Sequence, residues 1–425
     1  MKKIFALLLT AVLVLGLAGC AQPVSGQVVQ SEKPRVTTPV VAQIDLQTLV
    51  DGNTAFAFSL YQILRQKTAG NLFYSPYSIS EALAMTWAGA RGDTEKAMSG
   101  ALSFKLAQAR LHPAFNSLDL QLKERGKGAR GKEGEGFRLR VVNAIWGQKD
   151  YQFLPAFLDV LSQNYGAGLR LLDFIKETEK SRVTINDWVA EQTEQRIKDL
   201  IPQGVITTLT RLVLTNAVYF NAAWQYPFNE GATSDGQFTL LNGSKVTVPM
   251  MRQMESFRYA QGTNYQAIEL PYDGRELSMV ILLPSSGQFE AFEKSLDAKT
   301  VNEIIGKLGR STVNLTMPKF EFESSFGLKD ALTSLGMGVA FTESADLSGM
   351  NGKRDLFIQD VVHKAFVAVD EEGTEAAAAT AVVVGVTSVP VQQAVMTIDK
   401  PFIFFIRDNP TGTVLFVGRV LDPTK

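Results

Sequence analysis

Hydrophobic spacing along the chain switches between helical and strand-like periods. Phe56, Leu60, Ile63 and Leu64 recur at helical intervals, and Asn53-Thr54 ahead of them reads as a cap. Ser75-Pro76 precedes a second helix with Ile79, Leu83 and Trp87 on one face, ending at Gly89-Ala90-Arg91-Gly92. Further helices are expected at about Leu154–Gln163 and Val183–Lys198. Strand-like runs fall at Phe137–Trp146, Leu169–Phe174, Leu212–Phe220 and Leu277–Leu283. Later runs fall at Val313–Met317, Ala365–Val369, Phe402–Arg407 and Val414–Val420. Helices concentrated early and strands concentrated late predict a large α+β body from Ile44 to Lys425, with no internal repeat and no dividing linker.

The first 43 residues follow another pattern. Lys2 and Lys3 precede an apolar run from Ile4 to Leu17, shorter than the roughly 20 residues of a membrane span. Leu17-Ala18-Gly19-Cys20 closes it. This reads as an export signal over residues 1–19 of the bacterial lipobox type, with Cys20 the lipidation site and new N-terminus. The competing reading is an ordinary secretory signal with an incidental cysteine. The expected location is the bacterial envelope, lipid-anchored and facing periplasm or extracellular space. Residues 20–43, rich in Gln, Val, Pro, Ser and Thr, read as a tether. An N-terminal strand added to the body's sheet is the alternative.

Composition then narrows the chemistry. Forty-two basic against 43 acidic residues argue against a nucleic-acid partner, which usually meets a clear basic excess. The Gly-rich run Lys123–Gly136 carries five basic residues interleaved with three glutamates, a solvated loop or a polyanion site. One cysteine excludes an internal disulfide, and two histidines, His112 and His363, leave little room for histidine catalysis. There is no Gly-x-Ser-x-Gly elbow, phosphate loop or dinucleotide motif, and no metal-spaced cluster. No enzyme activity, cofactor or metal is expected; an enzyme working through paired carboxylates is the remaining catalytic reading.

One segment has conflicting local preferences. Residues 370–390 run from Asp370-Glu371-Glu372-Gly373-Thr374-Glu375 through Ala376–Ala379 to Thr380 and a valine-rich stretch ending at Pro390. The alanines favour helix and the β-branched residues favour strand, which hints at two conformations. Read as a strand, Thr374, Ala376, Ala378, Thr380, Val382, Val384 and Val386 share one face. That face is small, uncharged and able to enter a packed sheet. The competing reading is a low-complexity surface strand or helix.

Other stretches place this segment in context. Asn71–Ile79 through Gly89–Thr94 forms an early helix signature, and Thr215–Phe220 with Trp224 and Pro227-Phe228 a central strand and turn. Leu270-Pro271-Tyr272, Leu282-Leu283-Pro284, Ala345–Gly349, His363-Lys364-Ala365, Lys400-Pro401-Phe402 and Phe416–Val420 follow in order. Together these resemble the serpin family over the whole body. The resemblance implies a single domain over residues 44–425, with a large, mostly antiparallel central sheet, about nine helices and an exposed reactive loop at about 371–393. It implies a monomeric inhibitor consumed as a suicide substrate. A protease acylates itself on the loop, and the cut loop inserts into the sheet as an extra strand. A serpin that keeps the fold but acts only as a binding or structural protein is the alternative.

The resemblance also implies roles. Glu371, Glu372, Gly373, Thr374, Glu375, Ala376, Ala377, Ala378, Ala379 and Thr380 match the hinge. Glu371, Lys319 and Trp224 match the breach, where the sheet first opens. Ser75, Ser78, Asn216 and His363 match the polar shutter beneath the sheet; a satisfied core histidine is the plainer reading of His363. Family spacing puts the reactive bond at Thr387-Ser388, with Val384 and Val386 as other registers. Residues 382–389 hold no Lys, Arg, Phe, Leu or Tyr, which points to an elastase-like or subtilisin-like target rather than a trypsin-like one. A cysteine protease is a further partner the resemblance allows.

Overall fold

A computed structural model describes residues 26–129, 137–374 and 393–425. The described residues open with β1 (Gln27–Val29) and α1 (Gln43–Lys67), then β2 (Leu72–Tyr74) and α2 (Pro76–Trp87). α3 (Gly92–Ala101) and α4 (Gln108–Lys123) follow. β3 (Phe137–Gln148), α5 (Pro155–Tyr165), β4 (Leu169–Leu172) and α6 (Thr178–Gln192) alternate before β5 (Leu212–Ala223). A meander comes next: β6 (Ser234–Thr239), β7 (Lys245–Gln261), β8 (Tyr265–Pro271) and β9 (Leu277–Pro284). Helices α7 (Phe289–Ser295) and α8 (Ala298–Lys307) lead to β10 (Gly309–Pro318) and β11 (Phe320–Gly327). The short helices α9 (Lys329–Leu332) and α10 (Ser348–Asn351) precede β12 (Asp360–Val369) and β13 (Gly373–Thr374). The chain closes with β14 (Gln393–Thr397), β15 (Phe402–Asp408) and β16 (Val414–Val420).

These elements form the expected α+β body around two sheets. The central sheet runs β1-β4-β3-β5-β13-β12-β11, with two parallel pairings, β3–β4 and β5–β12, among antiparallel ones. The second sheet runs β14-β10-β7-β8-β9-β15-β16-β2, with β6 on β7. Aromatic rings join the two: Phe73 stacks on Phe416 within the second sheet at 5.0 Å, and Phe416 lies tilted, 5.5 Å from Phe220 of β5.

Helix α2 is buried along its whole length, so all its faces are packed rather than the single face its spacing predicts. Its start is as read: Ser75 accepts the Ser78 N–H and Pro76 occupies the first turn. The start of α1 is not. It begins ten residues before Asn53, which sits in mid-helix with Thr54, both buried. Their side chains bond tertiary and local partners instead of capping: Asn53 Oδ1 accepts from Ser80 Oγ at 2.7 Å, and Thr54 Oγ1 donates to the Val50 carbonyl.

The tether is corrected from residue 26 onward, and the alternative of an added strand describes it. β1 pairs antiparallel with β4 at the edge of the central sheet. Beyond it, Ser31 and Lys33 bond Asp159 of α5, and the Val36 N–H donates to the Gln163 carbonyl at 2.9 Å. Arg35 reaches α4, donating to Asn116 Oδ1 at 2.8 Å and Asp119 at 2.5 Å, with both charged side chains largely buried. Polar residues here serve as hydrogen-bond partners for the body, which composition alone cannot distinguish from a solvated linker. Within the Lys123–Gly136 run, Lys123 pairs with Asp119, Arg125 with Asp408 and Lys127 with Glu124; residues 130–136 lie outside the described residues.

Arg35→Ala should lower native stability by about 1–3 kcal/mol, since it deletes hydrogen bonds to a carboxylate and an amide. Val40→Ala, at a fully exposed position on the same segment, should change nothing. Urea midpoints of the two variants measure this.

Candidate functional site: the seam of the central sheet

Strands β5 and β12 lie side by side in parallel from Val213–Val218 against Asp360–Ala365. Above that ladder they diverge, and β13 occupies the wedge. Gly373 faces Ala223 and Thr374 faces Ala222 on β5, while Thr374 also faces Val369 on β12. The beginning of the hinge is therefore inside the sheet. This corrects an exposed loop beginning at 371: Glu371, Glu372, Gly373 and Thr374 are all buried. The cause is close packing of a glycine and a small hydroxyl residue. A β-carbon at Gly373 would overlap the carbonyl oxygen of Ala222. Thr374 places its hydroxyl 2.8 Å from Tyr272 Oη.

Around the wedge sit Trp224, Lys319 and Glu371, the three residues that the resemblance assigns to the breach. Trp224 stacks on Tyr272 with 4.6 Å between ring centroids. Its backbone N–H donates to the Glu372 carbonyl at 2.7 Å, and its indole N–H to the Asp370 carbonyl at 3.0 Å. The Phe228 N–H donates to the Glu371 carbonyl at 2.7 Å. Lys319, between β10 and β11, brings Nζ to 2.6 Å from Glu371 Oε2, and Thr233 donates to Oε1 at 2.7 Å. Burial pushes the Glu371 carboxyl up, but these two hydrogen bonds outweigh it and hold it below its usual range. The structure thus brings Trp224, Lys319 and Glu371 into one cluster. Tyr272, Thr233 and Asp370 belong to it too; Tyr272 lay in a quoted motif and Asp370 at the head of the 370–390 segment, while no local pattern marked Thr233.

Lower down, the seam carries a polar row. Asn143 of β3 faces Asn216 of β5, which faces His363 of β12. His363 Nε2 accepts the Ser75 N–H at 3.2 Å, so the network assigns the proton to Nδ1, which donates to Asn216 Oδ1. Asn216 Nδ2 donates to Ser78 Oγ and to Asn143 Oδ1. Asn143 Nδ2 continues the chain to Glu81 Oε2 at 2.8 Å. The structure brings Ser75, Ser78, Asn216 and His363 together and adds Asn143 and Glu81. A signal for Glu81 existed: it lies three residues after Ser78, on the same face of α2. Asn143 gave none, because its partner is set by strand register.

The row is electrically neutral. Burial pushes His363 down to about 3. Burial, with help from the charge of Asp119, pushes Glu81 up to about 8. Glu375, Ala376, Ala377, Ala378, Ala379 and Thr380, the reactive bond at Thr387-Ser388 with Val384 and Val386, and Cys20 all lie outside the described residues. Among the described residues no group of three or more His, Cys, Asp and Glu could hold a metal ion, and no helix is long and apolar enough to cross a membrane.

A wedge holding Gly373 and Thr374, an ion pair at its mouth and a neutral polar row below it lie along one seam of the sheet. The family model for serpins, the serine protease inhibitors, matches residues 51–423. Leukocyte elastase inhibitor of Sus scrofa is 42% identical over 89% of this chain and 100% of its own length. The crystal structure of tengpin, a thermophilic serpin, superposes with a TM-score of 0.80 at 27% identity, covering 93% of this chain and 97% of tengpin. Human thyroxine-binding globulin superposes with a TM-score of 0.81 at 29% identity, covering 90% and 100%. The chain belongs to the serpin family. It is a protease inhibitor, not an enzyme.

His363 takes up its proton at about 6.5 when exposed but only at about 3 when folded, so its contribution to stability is lost as pH falls through that window. Glu81 has the opposite slope: its usual 4.5 rises to about 8, so its contribution is lost as pH rises between those values. His363→Gln should reduce the loss of stability on acidification by up to about 1.4 kcal/mol per pH unit. Glu81→Gln should flatten the decline from pH 4.5 to 8. Urea midpoints measured across pH test both, and curves parallel to wild type would contradict the assignments.

Proposed function

We propose that this serpin traps elastase-like or subtilisin-like serine proteases at the surface of a bacterial envelope. The observation that carries the inhibitory part is the hinge start, Gly373-Thr374, already seated between β5 and β12. The target class is supported by residues 382–389, all small or β-branched, and by a relative named leukocyte elastase inhibitor. The protease's serine hydroxyl attacks the carbonyl carbon of Thr387. An ester forms, the Thr387–Ser388 amide breaks, and the amine of Ser388 leaves with a proton delivered by the protease's general acid. The freed strand then enters the sheet before water cleaves the ester. A cysteine protease would form a thioester at the same carbon. Cys20 is the proposed lipid attachment point, supported by Leu17-Ala18-Gly19-Cys20 and the apolar run before it.

Incubation with pancreatic elastase should give a covalent complex that survives SDS, with the released peptide beginning at Ser388. A peptide beginning at residue 385 or 387 would move the bond to Val384 or Val386. Complete cleavage with no complex would overturn the inhibitory reading and leave a serpin that binds without trapping.

Expressed in a bacterium fed a labelled fatty acid, the full chain should take up label and sediment with membranes. Cys20→Ser should abolish both. Label retained in that variant would refute the anchor.

A further inference from the structure

Strand registers say where the N-terminal segment enters the body. Phe137 of β3 faces Ala222 at the wedge end of the central sheet, and Gly147 faces Leu212 at the other end. Ten residues of β5 lie between those levels, about 33 Å at the usual rise per residue. One step further down, Gln148 faces Leu172 of β4. β1 runs antiparallel to β4 with Gln27 against Leu171, so Gly26 comes level with Leu172. The fit there is close: a β-carbon on Gly26 would overlap the Leu171 carbonyl oxygen. The N-terminal segment therefore joins the body at the end of the sheet away from Gly373 and Thr374.

That lower end exposes apolar side chains in three connections. Leu154, at the head of α5 after β3, is 38% exposed. Ile175, between β4 and α6, is 43% exposed, and Leu209, just ahead of β5, is 71% exposed. Backbone bonds tie these connections together. The Lys149 N–H donates to the Leu172 carbonyl at 2.8 Å, and the Gln148 N–H to the Arg211 carbonyl at 2.9 Å. The charges among them balance, with Lys149, Lys176 and Arg211 beside Asp150, Asp173 and Glu177. Single exposed apolar residues are ordinary, but three on adjoining loops at one end of a sheet mark a contact surface. Near-zero local charge disfavours a nucleic acid or another highly charged partner.

Chain length says what covers this surface. Cys20, the proposed lipid attachment point, lies six residues before Gly26, and six steps of chain reach at most about 22 Å. An anchored chain thus keeps the lower end of the sheet within about 22 Å of the bilayer, less than the roughly 33 Å of sheet beyond it. Exposed leucine and isoleucine held that close have the interfacial region as their partner, where apolar side chains bury about 5–10 Å deep. Tethering makes the contact intramolecular, so side chains too few to hold a free protein suffice.

We propose that the lower end of the central sheet is a bilayer-docking surface, on which Leu154, Ile175 and Leu209 rest in the headgroup region and hold the wedge end outward. This rests on the lipid anchor at Cys20 proposed above. Its test reads tryptophan emission from the full chain on phosphatidylcholine vesicles whose acyl chains carry bromine, a contact quencher. Trp87, Trp146, Trp188 and Trp224 are buried in the body and supply a constant background. Leu209→Trp and Ile175→Trp should each lose about half of their added emission relative to unbrominated vesicles. Val395→Trp, at an exposed position on β14 beside the part of β10 that leads to Lys319, should lose none. An unquenched Leu209→Trp would overturn the proposal and leave the surface to a protein partner. Quenching of Val395→Trp to the same extent would also overturn it, since the body would then tumble on its tether. Ile175→Trp decides the matter if Leu209→Trp does not fold. A chain that takes up no labelled fatty acid would count against the anchor alone. Its one thiol, at Cys20, can then be coupled to a maleimide lipid on the same vesicles and the emission read as before.

Discussion

The parallel ladder between Val213–Val218 and Asp360–Ala365 is the contact on which the other parts depend. It is a short seam in a sheet whose flanking strands are long. Above it the two strands are already parted by Gly373 and Thr374. Below that wedge, one side-chain bond, from His363 to Asn216, ties the strands where their backbones meet. Insertion must break this ladder and this bond, and it gains two new ladders in exchange. At about 0.5–1.5 kcal/mol net per hydrogen bond, a dozen new bonds would contribute on the order of 10 kcal/mol, comparable to a whole domain's stability.

Neutrality makes the seam separable. A buried ion pair pulled apart would leave uncompensated charge, typically a cost of about 3–5 kcal/mol. His363 is neutral because burial suppresses its protonation, and Glu81 at the other end of the row is held protonated by the same cause. The charges of the region are at the mouth instead. There Lys319 is 38% exposed and can be rehydrated, while its partner Glu371 is buried. The strong interaction therefore sits where the chain need not part, and the weaker neutral ones sit where it must. Asp370 belongs with the first group: its side chain accepts the Glu372 and Gly373 N–H groups in the turn at the mouth.

Much of this was legible from residue order. The strand runs of the central sheet were visible as β-branched and aromatic stretches, because their preferences agree with their burial. Ser75-Pro76 announced a helix start because capping is a local interaction. Asn53-Thr54 misled for the complementary reason: the same side chains satisfy buried partners in mid-helix when the neighbouring element supplies them. Residues 26–43 misled because a polar, aperiodic segment looks the same whether its partners are water or the side chains of α4 and α5. Asn143 carried no local mark, since its importance comes from a strand register; Asp370 headed the 370–390 segment with no role read for it, since that role lies in a turn closed by backbone groups.

The sequence by itself determined the α+β class, the family resemblance and the period-two face of small residues running from Thr374 through Thr380. These are properties of composition and of spacing along one segment. Which residues of the hinge are already inside the sheet was decided only by tertiary structure, because it depends on how far apart β5 and β12 stand at Ala222 and Val369. The protonation of Glu81 and His363 was decided there too, since burial and not residue type sets it.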